Sequence, residues 1–368
     1  MQFDPSIYFP IYIYTLLILS LGYTLSIYGQ KTNFIRQNSN ANILLIYIFL
    51  FIFFVGLRPP SSFYFGDSSN YAQVYNNFVS GAKILDMESS EWVFEWMQYQ
   101  CSKIMDVHGF FLLVEIFYVL PVLWACYRFT PNHYILMFLF CMGAFSFFSY
   151  GTNGIRNGMA CSLVILALSC IHGKVIAKVI AGVLCFLAFN IHRSTALPIL
   201  CIMASFFVKD TRYIMGWWLV SIVLSLLAGG SIEAFFTGLG FDDRLSSYAT
   251  DDSADAMFSS TGFRWDFLLY SAMPIILGYY VVFIRKIWDK NYLLLLNTYI
   301  LCNSFWVMMI RASYSNRFAY LSWFMYPLVL AYPCLKLPVW RNHGNMCALI
   351  FFTHFVFTFI MSVFVYSN

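Results

Sequence analysis

The chain of 368 residues is 61% hydrophobic and only 10% charged, with 21 Lys+Arg against 17 Asp+Glu and a net charge of +4. Soluble domains are roughly 45–50% apolar and about 25% charged, so a water-soluble globule is excluded and lipid is the natural solvent. Aromatic residues make up 21%, which suits membrane packing and interfacial belts; with no basic run beside them they do not read as a nucleic-acid surface.

The N-terminal MQFDPS has neither a basic n-region nor a small-residue cleavage site, so the first apolar run reads as a span and not as a cleaved signal. A span needs about 20 mostly apolar residues. Runs of that kind lie at 8–28, 41–57, 107–129, 133–150, 157–171, 175–191, 194–208, 213–230, 266–284, 291–310, 318–335 and 345–366, twelve in all. Lipid offers no partner to open strand edges, so these are expected to be helices of one all-α polytopic membrane domain, 1–368. Pro198 and Pro274 predict kinks. Two long loops, 58–106 and 231–265, interrupt the pattern. In the first, EWVFEWMQYQCSKIM (91–105) sets Glu91 with Glu95 and Trp92 with Trp96, each at i, i+4, predicting a short amphipathic helix in the interface. Nine of the ten cysteines lie in or at apolar runs and no CxxC occurs, which points to small buried hydrophobes and to neither disulfides nor a zinc site.

Charge placement sets an expected sidedness. With the first span entering from outside, twelve Lys and Arg fall on inner loops and nine on outer ones, a modest positive-inside bias that leaves both termini outside. Seven of the inner twelve are Lys, whereas seven of the outer nine are Arg, and nearly all acids lie outside. Glu115 alone falls within a span. Arg presents a planar fork suited to phosphate or carboxylate, while Lys is a point charge. Function is therefore expected at the outer membrane boundary.

Four constellations carry that expectation. In LRPPSSFYFGDSSNYAQVY (57–75), Arg58 closes the second span, and Asp67 suits either a general base beside a sugar hydroxyl or the N-cap of the helix that follows, which carries Tyr71 and Tyr75. GTNGIRNGMA (151–160) begins the fifth span with Thr152 or Asn153 as cap, and places Arg156 in the first turn. A cation there opposes the helix dipole, so it reads either as an anion holder acting with free N–H groups or as a snorkelling Arg beside a packing GxxxG. NIHRSTALP (190–198) sets His192 and Arg193 before Ser194, a candidate cap; His192 is the histidine best placed for anion contact or proton transfer, or else a structural residue. RASYSNRFAYL (311–321) brackets an outer loop with Arg311 and Arg317, suited to a lipid-borne phosphate or to headgroups, and DDRLSSY (242–248) adds Arg244 and Tyr248. No P-loop, Rossmann fingerprint, HExxH or GxSxG is present, so no nucleotide or metal cofactor is expected.

Taken in order, GLR followed by GDSSNY (56–71), EWVFEWM (91–97), NGIRNGMA (153–160), HRSTAL (192–197), DRLSSY (243–248) and RFAYL (317–321) resemble the EpsG-like branch of bacterial Wzy-type polysaccharide polymerases. The outer loops are short beside those Wzy proteins that carry a large periplasmic loop. The resemblance implies a GT-C-like fold of about twelve spans with short periplasmic interfacial helices, in the inner membrane of a bacterium, acting at the periplasmic face. The implied substrates are oligosaccharide repeat units on undecaprenyl diphosphate, both as donor and as acceptor, with membrane lipids and a chain-length regulator as partners and no nucleic acid. On that reading Arg156, Arg193 and Arg317, supported by Arg58, Arg244 and Arg311, hold the diphosphate. An outer carboxylate or His192 takes the acceptor proton, Asp67 being the first choice for that base and Glu95 the second, and Tyr71 and Tyr248 meet the sugars. The rival readings are a lipid-linked oligosaccharide flippase, an O-antigen ligase and a membrane O-acyltransferase. The outer Arg cluster speaks against the flippase, and the lack of a paired His and acid within a span speaks against the acyltransferase.

Overall fold

A computed structural model describes residues 3–31, 35, 42–238, 262–312 and 315–365. In chain order the helices are α1 (Tyr8–Ile27), α2 (Asn42–Gly56), α3 (Ser62–Phe65), α4 (Ser68–Val79), α5 (Trp92–Cys101), α6 (Val107–Phe129), α7 (Tyr134–Met142), α8 (Phe145–Thr152), α9 (Ile155–Cys170) and α10 (Val175–Ile191), then a 3-10 turn Arg193–Thr195. They continue as α11 (Ala196–Phe207), α12 (Thr211–Gly238), α13 (Trp265–Tyr279), α14 (Lys290–Met308), α15 (Asn316–Trp323), α16 (Tyr326–Lys336) and α17 (His343–Ile360). No strand occurs among the described residues, so the chain is an all-helical polytopic membrane protein. All ten cysteines are free thiols, and Cys185 alone is not fully buried.

Each of the twelve apolar runs is built on helix, but they are not equal. Among the described residues six helices are long and apolar enough to cross a membrane: Pro5–Ile27, Val107–Phe129, Thr211–Ile232, Trp265–Ile284, Arg317–Lys336 and His343–Phe364. Four more, Asn42–Gly56, Ile155–Cys170, Val175–Ile191 and Arg193–Phe207, are apolar but shorter. The run expected as one span at 133–150 is instead two helices, α7 and α8, bent by 78° at Gly143.

The breaks do not fall where proline predicts them. Pro198 lies in the first turn of α11, where an N–H has no helical partner to lose. Pro274 sits inside α13, whereas α12 kinks at Ala228 (φ −136°, ψ 21°) with no proline near and runs on to Gly238, past the residue where a loop was expected to start.

Lipid cannot satisfy freed backbone groups, so a broken helix needs partners from the protein. The α7–α8 break finds them on distant helices. His354 Nε2 donates to the Phe140 carbonyl at 2.9 Å, Thr358 Oγ1 to Gly143 at 2.8 Å and Tyr118 Oη to Phe147 at 2.9 Å, while Tyr12 Oη donates to the Met142 carbonyl. Every residue of α7 from Ile135 to Met142 is buried, as expected of a helix apolar on all sides.

The chain forms two compact units, Met1–Thr195 with Leu330–Asn368, and Ala196–Val329. In the first, α9 packs between α6 and α10, α2 lies on α6, and α5 rests on α4 and on α10. The second is built on α14, against which α12, α11 and α15 pack. Some of its buried polar groups are paired: Trp218 Nε1 donates to Asn303 Oδ1 at 2.8 Å, Asn303 Nδ2 to Ser322 Oγ at 3.1 Å, and Trp323 Nε1 to Ser271 Oγ at 2.7 Å.

Candidate active site

Three segments far apart in sequence meet in the first unit: the head of α5, the first turn of α9 and the end of α10. Each is placed by local chemistry. Trp92 Nε1 donates to Asn190 Oδ1 at 2.8 Å, which pins the start of α5 to the last turn of α10. At the end of that helix His192 leaves helical geometry for extended backbone (φ −153°, ψ 116°). The first turn of α9 is seated by close packing: a Cβ on Gly158 would lie 2.5 Å from the Tyr150 carbonyl, so α9 approaches α8 to backbone distance there.

The expected caps are not used as caps. Asn153 and Thr152 leave the N-cap of α9 to Gly154. Asn153 Oδ1 instead accepts the Asp67 N–H at 2.9 Å, and Thr152 Oγ1 donates back to Phe148 at 2.8 Å. Ser194 lies in the 3-10 turn without a side-chain partner among the described residues, and Thr195 Oγ1 donates to the His192 carbonyl at 2.8 Å. Asp67 holds the N-cap position of α4 but makes no capping bond; its carboxylate accepts from Asn70 Nδ2 at 3.4 Å and interacts electrostatically with Arg156.

The Asp67–Asn153 link depends on Gly66. Its φ of +50° disfavours a side chain, and a Cβ would lie 2.3 Å from Asn153 Oδ1. Gly66→Ala is expected to cost about 1–3 kcal/mol in backbone strain and to displace Asn153 and with it the turn that carries Arg156. Activity should then fall further than the melting temperature, as parallel activity and thermal-melt measurements in detergent would report.

At the centre is Glu91, which in sequence shows only as half of an acidic i, i+4 pair with Glu95. It occupies the N-cap position of α5 without capping it. Its carboxylate is engaged elsewhere: Oε2 accepts from Arg156 Nη1, and Oε1 from His192 Nδ1 and from the Arg193 N–H, the last at 3.4 Å. The Arg156 Nε donates to Tyr71 Oη at 3.3 Å, and its guanidinium lies over the rings of Tyr71 (5.4 Å) and Phe94 (5.9 Å). The Glu91 and Arg156 side chains are each 20% exposed and that of His192 25%, so the cluster is shielded yet reachable.

Burial alone would raise the Glu91 carboxyl, but the His192 hydrogen bond, the charges of His192 and Arg156 and the Arg193 N–H outweigh it and hold it down at about 2. A carboxyl depressed below its ordinary 4.5 stabilises the fold above that value, and the stabilisation is lost as pH falls toward 2. By linkage the contribution is at most about 3 kcal/mol. Thermal melts of the wild type and Glu91→Gln between pH 7 and pH 3 should therefore converge in acid; parallel curves would show that the carboxylate adds nothing.

The remaining expected site residues are placed differently. Glu95, one turn on from Glu91, pairs with Lys83 Nζ at 2.7 Å. Tyr71 is buried, with its hydroxyl on Arg156 and its ring edge-on to Phe94 at 5.8 Å. The Arg193 side chain is exposed and makes no ion pair among the described residues. Arg58 is 1% exposed: its guanidinium donates to the carbonyls of Val55 and Thr152, both at 2.9 Å, and lies against Phe65 and Phe111. It thus ties α2 to the end of α8. Arg311 and Arg317 are exposed residues of the second unit, Arg311 with its guanidinium 5.8 Å from the Phe263 ring centre. Arg244 and Tyr248, like most of the loop expected at 231–265, lie outside the described residues.

The arrangement offers cationic N–H donors, an imidazole and a carboxylate at one largely shielded place. A guanidinium has five N–H donors; Arg156 spends two on Glu91 and Tyr71 and keeps others for an anion. The family model described as the EpsG family matches residues 41–368. No curated protein and no solved structure matches the chain.

Proposed function

Because the chain belongs to the EpsG family, we propose that it is a membrane polysaccharide polymerase. It joins undecaprenyl-diphosphate-linked oligosaccharide repeat units en bloc, at the periplasmic face of a bacterial inner membrane, using a GT-C-like fold of about twelve spans with both termini periplasmic. The observation that carries this reading is the meeting of Arg156, His192 and Glu91 from three distant segments of an apolar helical chain.

In the proposed reaction the donor diphosphate docks on Arg156 and Arg193. The acceptor hydroxyl gives its proton to a base, and its oxygen bonds the anomeric carbon. The bond from that carbon to the diphosphate oxygen breaks, and the electron pair leaves with the lipid carrier. Guanidinium groups stabilise that departing charge. No nucleotide is required, since the carrier diphosphate is already the leaving group. Of the three candidate bases, Glu95 is engaged by Lys83, whereas His192 pairs through one ring nitrogen and keeps the second; this supports His192 over Glu95, with Asp67 next to the same cluster. Arg58, bonded to two backbone carbonyls, is better suited to holding the α8–α9 turn in place. A chain-length regulator is the protein partner this activity would need.

The glycan profile of a deletion strain tests the assignment. Loss of long chains with a single repeat unit retained on the final acceptor is the expected result. Loss of every unit would point to a ligase or a flippase and overturn it.

A further inference from the structure

The Glu91–His192 pair has a chemical consequence of its own. A carboxylate has no proton to give, so the contact between Glu91 Oε1 and His192 Nδ1 exists only with the proton on Nδ1. Oε1 also takes the Arg193 N–H and Oε2 takes Arg156, so the carboxylate is fixed at both oxygens and cannot turn away from the ring. The neutral imidazole is then held with Nε2 as its basic nitrogen, and among the described residues Nε2 has no hydrogen-bond partner.

We propose that Glu91 is a positioning residue, which locks His192 in the Nδ1–H form so that Nε2 receives the proton of the incoming sugar hydroxyl. This rests on the transferase reading of the same site. The step balances: the hydroxyl proton moves to Nε2, the oxygen pair forms the glycosidic bond, and the diphosphate departs with the pair from the broken C–O bond. Glu91 takes no proton; it orients the ring and stabilises the imidazolium that forms, as carboxylates paired with catalytic histidines do. The same carboxylate holds Arg156, which couples the orientation of the base to that of the diphosphate donor.

The test uses the full chain in nanodiscs with 15N-labelled histidine, the His192 signals being assigned by their loss in His192→Gln. Near neutral pH the wild type is expected to show a protonated Nδ1 and a proton-free Nε2. In Glu91→Gln, whose amide can accept from or donate to the ring, the Nδ1–H population should fall, and Glu91→Asp should restore part of it. In elongation assays with purified lipid-linked repeat units, Glu91→Gln should lower kcat about a hundredfold while KM for the donor stays within a few-fold, with Glu91→Asp in between. A His192 spectrum that ignores Glu91→Gln overturns the positioning role whatever the reaction is. A spectrum that responds as expected, in a wild-type protein that elongates no lipid-linked unit, overturns the transferase reading on which the role rests.

Discussion

Arg156→Ala is expected to reduce polymer elongation by about 10²–10³-fold, the loss typical when one preorganised donor is taken from a developing anion. The side chain is already oriented before substrate arrives, held at Nε by Tyr71 and at Nη1 by Glu91, with two aromatic faces beneath it. Such preorganisation means that little rearrangement is needed when charge develops on the diphosphate. Arg156→Lys separates charge from geometry. Lysine restores a point charge but not the fork, so it should recover only part of the rate. Glycan ladders from cells with matched expression, together with elongation rates on purified donor, measure both. Unchanged ladders at normal expression would remove Arg156 from diphosphate binding. Arg58→Ala makes the contrasting case: it takes the guanidinium donor from the buried Thr152 carbonyl at about 1–3 kcal/mol, while the Val55 carbonyl keeps the main-chain N–H of residue 58, so less folded protein should accumulate and the melting temperature should fall.

His192→Gln is expected to lower kcat by about 10²–10⁴-fold, the range for loss of a general base. It leaves the backbone turn at the end of α10 intact, because that turn is held by Thr195 and by the main chain. Asp67→Asn and Glu95→Gln are the informative companions. Glu95→Gln removes a pair with the partly exposed Lys83, worth at most about 1 kcal/mol, and should leave the rate near wild type. Asp67→Asn weakens the electrostatics around Arg156 and should act chiefly on KM for the donor. If Asp67→Asn instead loses kcat while His192→Gln stays within a few-fold of wild type, Asp67 is the base.

Composition settled the solvent and the helical class, and the order of apolar residues along the chain placed every apolar run. A chain with so few charges has no other way to satisfy its backbone in lipid. Residue type and position next to helix ends also singled out Arg156 and His192. The breaks were hidden because their cause is remote. The bend at Gly143 is held by Tyr12, Tyr118, His354 and Thr358, two of them more than 200 residues away, and no proline marks it. Arg58 and Arg156 look alike in sequence, each an arginine beside an apolar run. They part company because Arg58 finds a carbonyl acceptor 94 residues on.

Glu91 shows the same division most sharply. The i, i+4 pair with Glu95 is plain in the sequence, but nothing local says which acid turns inward. That choice was made by partners 65 and 101 residues away, Arg156 and His192, and by the Trp92–Asn190 hydrogen bond that brings α5 to the end of α10. Local sequence determines what a residue can do and which element carries it, since propensity, hydropathy and charge act within a few residues. Which charges face one another is decided by packing, because burying a carboxylate is tolerable only where the fold supplies its counter-ions.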